Sequence, residues 1–197
     1  MKCTLFLKIQ PFVATLVLFL GGFFNSLGAA VSYVATSGSD ANPGTATQPY
    51  RTVGFAYSKA VSGDTIIVRP GTYTDYKLNY GLHLDKSGIT LRSEQFGKAI
   101  LDGQNKADRP EVVYISGSSN VIEGFRITNG FVGGVKLYGS NNQIRNNEID
   151  HNGNVGIPGS AYGQDGIFSD KNTSGNVYWA NHVHHNGRIA QDSNVDH

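Results

Sequence analysis

Sulfur is nearly absent from this sequence. Its 197 residues include one cysteine, Cys3, and one methionine, Met1. A lone cysteine excludes an internal disulfide framework. Because Cys3 sits in a leader-like segment, the rest of the chain also lacks a thiolate nucleophile or thiolate metal ligand. An excess of charge of one sign is missing too: 16 Lys and Arg face 15 Asp and Glu. Without a basic surplus there is no electrostatic footprint for nucleic acid. Long hydrophobic runs are absent but for one, Ile9 to Phe24, which is broken by glycine and preceded by Lys2 and Lys8. It is too short to span a bilayer, and the small residues "NSLGAA" follow it, so residues 1–30 read as a secretory signal peptide cleaved near Ala30. Cleavage removes Lys2 and Lys8 and no acid, which leaves a net charge of −1 with histidine neutral. The mature protein is then expected outside the cell or in the periplasm, free of the membrane.

What remains is rich in Gly, Asn, Ser and Thr, with regularly placed Ile, Val, Leu, Phe and Tyr. Disordered chains have no reason to space apolar residues. "VVYISGSSNVIEGFRITN" begins at Val112, and "VKLYGSNNQIRNNEIDHN" matches it at a distance of 22 residues. Val113 falls on Val135, Ile115 on Leu137, Gly117 on Gly139, Asn120 on Asn142, Ile122 on Ile144 and Ile127 on Ile149. Apolar–x–apolar triplets recur at Ile66/Val68, Ile89/Leu91, Val113/Ile115 and Val135/Leu137, at spacings of 23, 24 and 22. Alternation of this kind buries one face of a short strand. A parallel β-helix explains the constant spacing, because each coil climbs one strand spacing of roughly 4.8 Å and stacks every inward residue on its counterpart. On this reading Asn120 and Asn142 bond backbone along the stack, and Gly117 and Gly139 mark bends with positive φ.

Residues 31–64 read as an N-terminal cap. "YRTVGFAYSKAVSGD" places Val53, Ala56, Tyr57 and Ala60 on one helical face, with Gly63 as the stop. Such a helix would cover the open end of the stack. Residues 65–197 read as the coils. The last ones are longer: "NEIDHNG" at 147–153 recurs as "NHVHHNG" at 181–187, with the insert "NVGIPGSAYGQD" between them. Loops bulging from a repeat stack are where function usually sits. The chain stops at "NVDH" in mid-pattern, so a longer coil stack is expected, or a partner chain closing the end.

"YVATSGSDANPGTATQPYRTVGFAYSKAVSGDTIIVRPGTYTD" (residues 33–75) resembles the opening of secreted bacterial right-handed parallel β-helix proteins, notably the family-nine polysaccharide lyases, which are pectate lyase-like. The resemblance implies an all-β, single-stranded right-handed parallel β-helix acting on an acidic polysaccharide, with calcium held by clustered aspartates and a lysine base. "GQDGIFSDKNTSGNVYWANHVHHNG" is similar in layout to the family's site region. Asp165 matches the first aspartate of the metal cluster, and Asp170 and Asp150 complete the expected metal set. His184, His185 and Asn186 stand where the family has further aspartates. Lys171 is the candidate base.

Alternation places Ile67 and Arg69, Thr90 and Arg92, Tyr114 and Ser116, Lys136 and Tyr138, and Phe168 and Asp170 on the outside of successive coils. Stacked, they would form one strip of cations and aromatics. Arg69, Arg92, Tyr114, Lys136 and Tyr138 are the candidate substrate-binding residues, since sugar rings lie on aromatic faces and uronate carboxylates pair with Arg and Lys. A later strand carries Arg126, Glu148 and His182 outward, then Thr128, Asp150 and His184. His151, His182, His184 and His185 cluster with Asp150 and Asp165 nearby; such a set holds a transition metal or supplies acid and base. His83 reads as structural. The leading expectation is β-elimination: a cation neutralises a uronate carboxylate, and a base removes the C5 proton. Lys171, His182 and His184 are the candidate bases, with Arg188 added to the catalytic set. A lysine in that role needs neighbouring cations or burial to lose its proton. Hydrolysis by Asp150 with Asp165, or Asp165 with Asp170, is one rival. A non-catalytic carbohydrate-binding β-helix is the other.

Overall fold

Strands of three to five residues build most of the described chain. The computed structural model describes residues 28–74, 81–108, 110–153 and 165–187. In chain order the elements are β1 (Val31–Val34), α1 (Val53–Lys59), β2 (Thr65–Val68), β3 (Gly71–Tyr73), β4 (Leu82–Leu84), β5 (Thr90–Ser93), β6 (Ala99–Asp102), β7 (Glu111–Ile115), β8 (Val121–Glu123), β9 (Arg126–Thr128), β10 (Gly133–Leu137), β11 (Gln143–Arg145), β12 (Glu148–Asp150), β13 (Ile167–Ser169), β14 (Val177–Trp179) and β15 (His182–His184). They form three sheets: β1-β2-β5-β8-β11-β14, β4-β7-β10-β13 and β3-β6-β9-β12-β15. Each sheet takes one strand per coil, and every pairing between these strands is parallel. This is an all-β parallel helix with one short α-helix.

The core is a set of vertical columns. Ile66, Leu91, Ile122, Ile144 and Tyr178 stack in the first sheet. Leu82, Val113, Val135 and Ile167 stack in the second, and Leu101, Ile127, Ile149 and Val183 in the third. Most of these side chains are fully buried, but the last described members, Tyr178 and Val183, are 43% and 46% exposed, with no described coil over them.

Asparagine ladders run along the turns between the sheets. Asn120 Oδ1 accepts from Ile89 N, Asn142 Oδ1 from Asn120 N, and Asn176 Oδ1 from Asn142 N, at 2.8–2.9 Å. Asn147 and Asn181 make a second ladder, and Asn152 and Asn186 a third. Each Nδ2 also donates to a carbonyl of an earlier coil, so the side chain replaces turn backbone that would otherwise be unsatisfied. The residue before a ladder position is often left-handed: Ser119, Asn141, Asn146, Ala180, His151 and His185 have φ of 51–59°. Gly117 and Gly139 are not. They are glycine because a Cβ would collide with the carbonyl of Lys86 in one case and of Gly117 in the other. The expected positive φ is therefore replaced by a need for space.

The expected helical face is buried: Val53, Ala56, Tyr57 and Ala60 are at most 5% exposed. Thr52 caps the N-terminus of α1, and Asp40 accepts from the backbone of Arg51 and Thr52 and from the Thr52 hydroxyl. The helix stops at Lys59, ahead of Gly63, with Ala60 extended. Lys86 Nζ closes its C-terminal end by donating to the carbonyls of Tyr57, Ser58 and Ala60. The N-terminal segment also contributes β1, whose register continues the first sheet. Nearly all of the expected signal peptide lies outside the described residues. No helix among the described residues is long and apolar enough to cross a membrane.

Candidate functional site

The second sheet carries the outward row His83, Tyr114, Lys136 and Phe168, one residue per coil. His83 meets Tyr114 edge to face at 5.0 Å, and its Nε2 lies 2.9 Å from Ser116 Oγ. Tyr114 lies 5.4 Å from Tyr138. The Lys136 ammonium stands 5.8 Å from the ring centres of both Tyr138 and Phe168. Lys136 is held at 2.8 Å by Glu111, a carboxylate 5% exposed. Burial presses the Lys136 ammonium towards neutrality, but Glu111 outweighs it and holds the group above its ordinary range. Lys136 is thus a fixed cation and not a base. Beside it lies a pocket of about 130 Å³ lined by Glu111, Lys136, Tyr138, Asp165, Phe168 and Asp170, among others.

The single strip expected from alternation is two. Arg69 and Arg92 belong to the first sheet's side of the coil, and Tyr114, Lys136 and Tyr138 to the second. The register pairs Arg92 with Ile67 on one side and Glu123 on the other. Arg69 is occupied near the cap, donating to Ala46 O at 2.8 Å, 3.6 Å from Glu94 and over the Tyr33 ring. The triplet at Ile89/Leu91 is followed in its own sheet by Ile122, not by Val113. Asn120 reaches 31 residues back to Ile89, whereas the next coil step is 22. Triplets from different sheets look alike, so the constant spacing joined two faces.

The three aspartates expected to hold calcium do not converge. Asp150 is in the third sheet and 1% exposed, with both oxygens taken: Arg126 donates from Nε at 2.9 Å and Nη2 at 2.6 Å, and His151 Nδ1 lies 2.6 Å from Oδ2. Burial pushes the Asp150 carboxyl up, but Arg126 and His151 outweigh it and hold it below the usual carboxylate range. It is a structural anion, unavailable as a calcium ligand or as the partner of Asp165 in hydrolysis. Asp165 and Asp170 do share the second-sheet pocket. Asp170 Oδ1 accepts two bonds from Asn172, which leaves Oδ2 for a cation.

Lys171 is exposed in the turn directly after Asp170, at the end of that face. His182 and His184 are on β15 in the third sheet, so the candidate bases are divided between two faces. Arg188 lies outside the described residues. The sequence reading took His83 as structural and did not weigh Glu111. His83 had a signal, the apolar flanks of Leu82 and Leu84, which make it an outward strand residue. Glu111 had none, because an acid at a strand start resembles any solvated residue.

The third sheet carries Glu148, His182 and His184, whose ligand atoms all lie within 4.8 Å of one another.

Curated relatives match parts of the chain. It is 34% identical to the uncharacterized protein YwoF of Bacillus subtilis (strain 168) over 76 residues, 39% of this chain and 16% of that protein. It is 27% identical to pectate lyase L of Dickeya chrysanthemi over 139 residues, 64% of this chain and 33% of that protein. The chain therefore spans a third or less of the length of these relatives. The crystal structure of pectate lyase Pel9A superposes with a TM-score of 0.61 at 24% identity, over 77% of this chain and 38% of that one, which shows a shared fold. The family model described as the Pel9A-like, right-handed β-helix region matches residues 32–194, and the chain belongs to that family.

Proposed function

We propose that this chain is part of the sugar-handling β-helix of a secreted, lyase-like protein and takes a uronic acid polysaccharide along the outer face of β4, β7, β10 and β13. The observation that carries the reading is the row His83, Tyr114, Lys136 and Phe168, flanked by Tyr138 and opening onto the pocket that contains Asp165 and Asp170. Pectate lyase L, to which the chain is similar, supports the substrate class. Strands in a sheet repeat at about 4.8 Å, so aromatic faces and a cation recur along the axis at a spacing that suits an extended sugar chain.

The chemistry follows from charge. The Lys136 ammonium, kept protonated by Glu111, pairs with a uronate carboxylate and so acidifies the proton on the adjacent C5. A base at the end of the face takes that proton; Lys171 is the residue so placed, and being exposed it would need a cation beside Asp170 to give up its own proton. The C5–H electron pair becomes the C4–C5 double bond, and the C4–O bond breaks as the leaving oxygen picks up a proton. Calcium suits the oxygen donors of Asp165 and Asp170, which would hold it, and it would add positive charge beside the uronate.

The test is incubation of the purified chain with polygalacturonate, alginate and chondroitin, with calcium or with chelator. Ultraviolet absorbance reports unsaturated ends, and co-sedimentation reports binding. The reading expects unsaturated product from at least one polymer. Lys171→Ala then abolishes product at unchanged binding, and Lys136→Met weakens binding at least tenfold. New reducing ends without unsaturation would favour hydrolysis by Asp165 and Asp170. Binding without product would favour a carbohydrate-binding module. Neither binding nor product would overturn the proposal.

A further inference from the structure

The third sheet holds side chains that the sugar face does not use. Register sets Glu148 between Arg126 and His182, and Asp150 between Thr128 and His184. His182 and His184 are two apart on one strand and share a side, with ring centres 4.2 Å apart. His184 Nε2 lies 3.5 Å from Glu148 Oε1.

The cation that register places beside Glu148 is Arg126, but its guanidinium is engaged by both oxygens of Asp150. Glu148 is thereby left facing the two histidines. His184 Nε2 is itself buried without a hydrogen bond. A buried ring nitrogen beside a carboxylate with no hydrogen bond between them is an arrangement that a bound cation would satisfy.

The other side of His184 is held. Its Nδ1 lies 2.6 Å from His185 Nδ1. The His185 ring stacks on His151 at 5.4 Å and 6°, and His151 contacts Asp150. With the proton on Nδ1 directed at His185, Nε2 presents a lone pair towards Glu148, the outer-shell orientation that metal-binding histidines generally show. Asn147 paired with Asn181, and Asn152 with Asn186, tie β12 to β15 at both ends, so the ligands stand on fixed backbone.

The geometry points to a zinc-class transition-metal site formed by Glu148, His182 and His184, bridging β12 and β15. Two imidazoles and a carboxylate suit zinc and its neighbours, whereas calcium takes six to eight oxygens. Tetrahedral zinc sets its ligand atoms about 3.4 Å apart given bonds near 2.1 Å. The Glu148–His184 contact is already at that spacing, and the remaining pairs lie within 4.8 Å. With both histidines on an exposed sheet face, a fourth position is left to water or a ligand.

The site is independent of the polysaccharide reading. Its test is equilibrium dialysis of the tag-free chain against Zn²⁺, alongside Co²⁺ titration followed by visible d–d absorption. The expected result is one equivalent of metal, a tetrahedral Co²⁺ spectrum, no displacement by millimolar Ca²⁺, and a rise in melting temperature with Zn²⁺. His182→Ala, His184→Ala and the isosteric Glu148→Gln should each weaken uptake at least tenfold while circular dichroism stays unchanged. No stoichiometric uptake, displacement by calcium, or uptake indifferent to the His182→Ala/His184→Ala pair would overturn the site.

Discussion

At Asp150 a carboxylate that is almost wholly buried keeps its charge because Arg126 grips both oxygens and His151 adds a third contact. Its pKa in the fold is below the ordinary value, so the unfolded chain binds this proton more readily. The stabilisation is fully present above the ordinary carboxyl range and is lost as pH falls through it towards the lower folded value. Asp150→Asn should therefore cost about 1.5–3 kcal/mol at neutral pH, the range for hydrogen bonds to charged groups. It should also flatten the acid limb of stability, measured by urea denaturation from pH 7 down to 2. Equal acid sensitivity in the two proteins would contradict this account. Single residues differed in how openly they declared themselves. Asn120 and Asn142 announced their ladder because the same type recurs at the same coil position. Glu111 did not, because its burial depends on Lys136 one coil on. Gly117 and Gly139 were recognisable as necessary, but the cause, a carbonyl of the neighbouring coil, is invisible along the chain.

Among elements, α1 shows how a short segment is fixed from both ends. Seven residues make too few helical turns to be stable alone. Thr52 and Asp40 satisfy the first turn, a buried face packs on the first coils, and Lys86 takes three terminal carbonyls. Lys86→Met should lower stability by about 1–3 kcal/mol through the lost charged hydrogen bonds. In chemical denaturation the midpoint should fall at unchanged slope, since the fold and the area exposed on unfolding stay the same. The helix was legible because its apolar residues fall at 3.6-residue spacing. The assignment of strands to sheets was not. A coil of 22 residues repeats visibly, but the coil joining Ile89 to Asn120 takes 31, and the one joining Asn142 to Asn176 takes 34. The extra residues fall between β6 and β7 and between β12 and β13, so a triplet's distance from the previous one does not reveal its face.

For the whole molecule, stability is a sum of coils and the contacts between neighbours. The inner coils bury Val113, Ile122, Ile127 and Phe125 completely, while the last described coil leaves Val177, Tyr178 and Val183 about half exposed. Opening is easiest where apolar contacts are fewest. Hydrogen exchange should therefore show amides of β13, β14 and β15 exchanging at least tenfold faster than those of β7, β8 and β9. Zinc, if bound as proposed, should slow β15 selectively. Uniform protection from end to end would show that the stack unfolds only as one unit.

The amino-acid order by itself determined the coil: inward Ile, Val and Leu every other residue, asparagine at the turns and an amphipathic cap, each a local choice with a physical preference of its own. It also marked the chemistry-bearing residues, the aromatics, Lys136, the aspartates and the histidines. Which of these meet was decided only by the tertiary structure. A coil of three sheets faces three ways, and the lengths of the segments between its strands set which face each strand joins. That geometry separates Arg69 and Arg92 from Tyr114 and Lys136, sets Asp150 against Arg126 away from Asp165 and Asp170, and brings Glu148, His182 and His184 within one metal's reach.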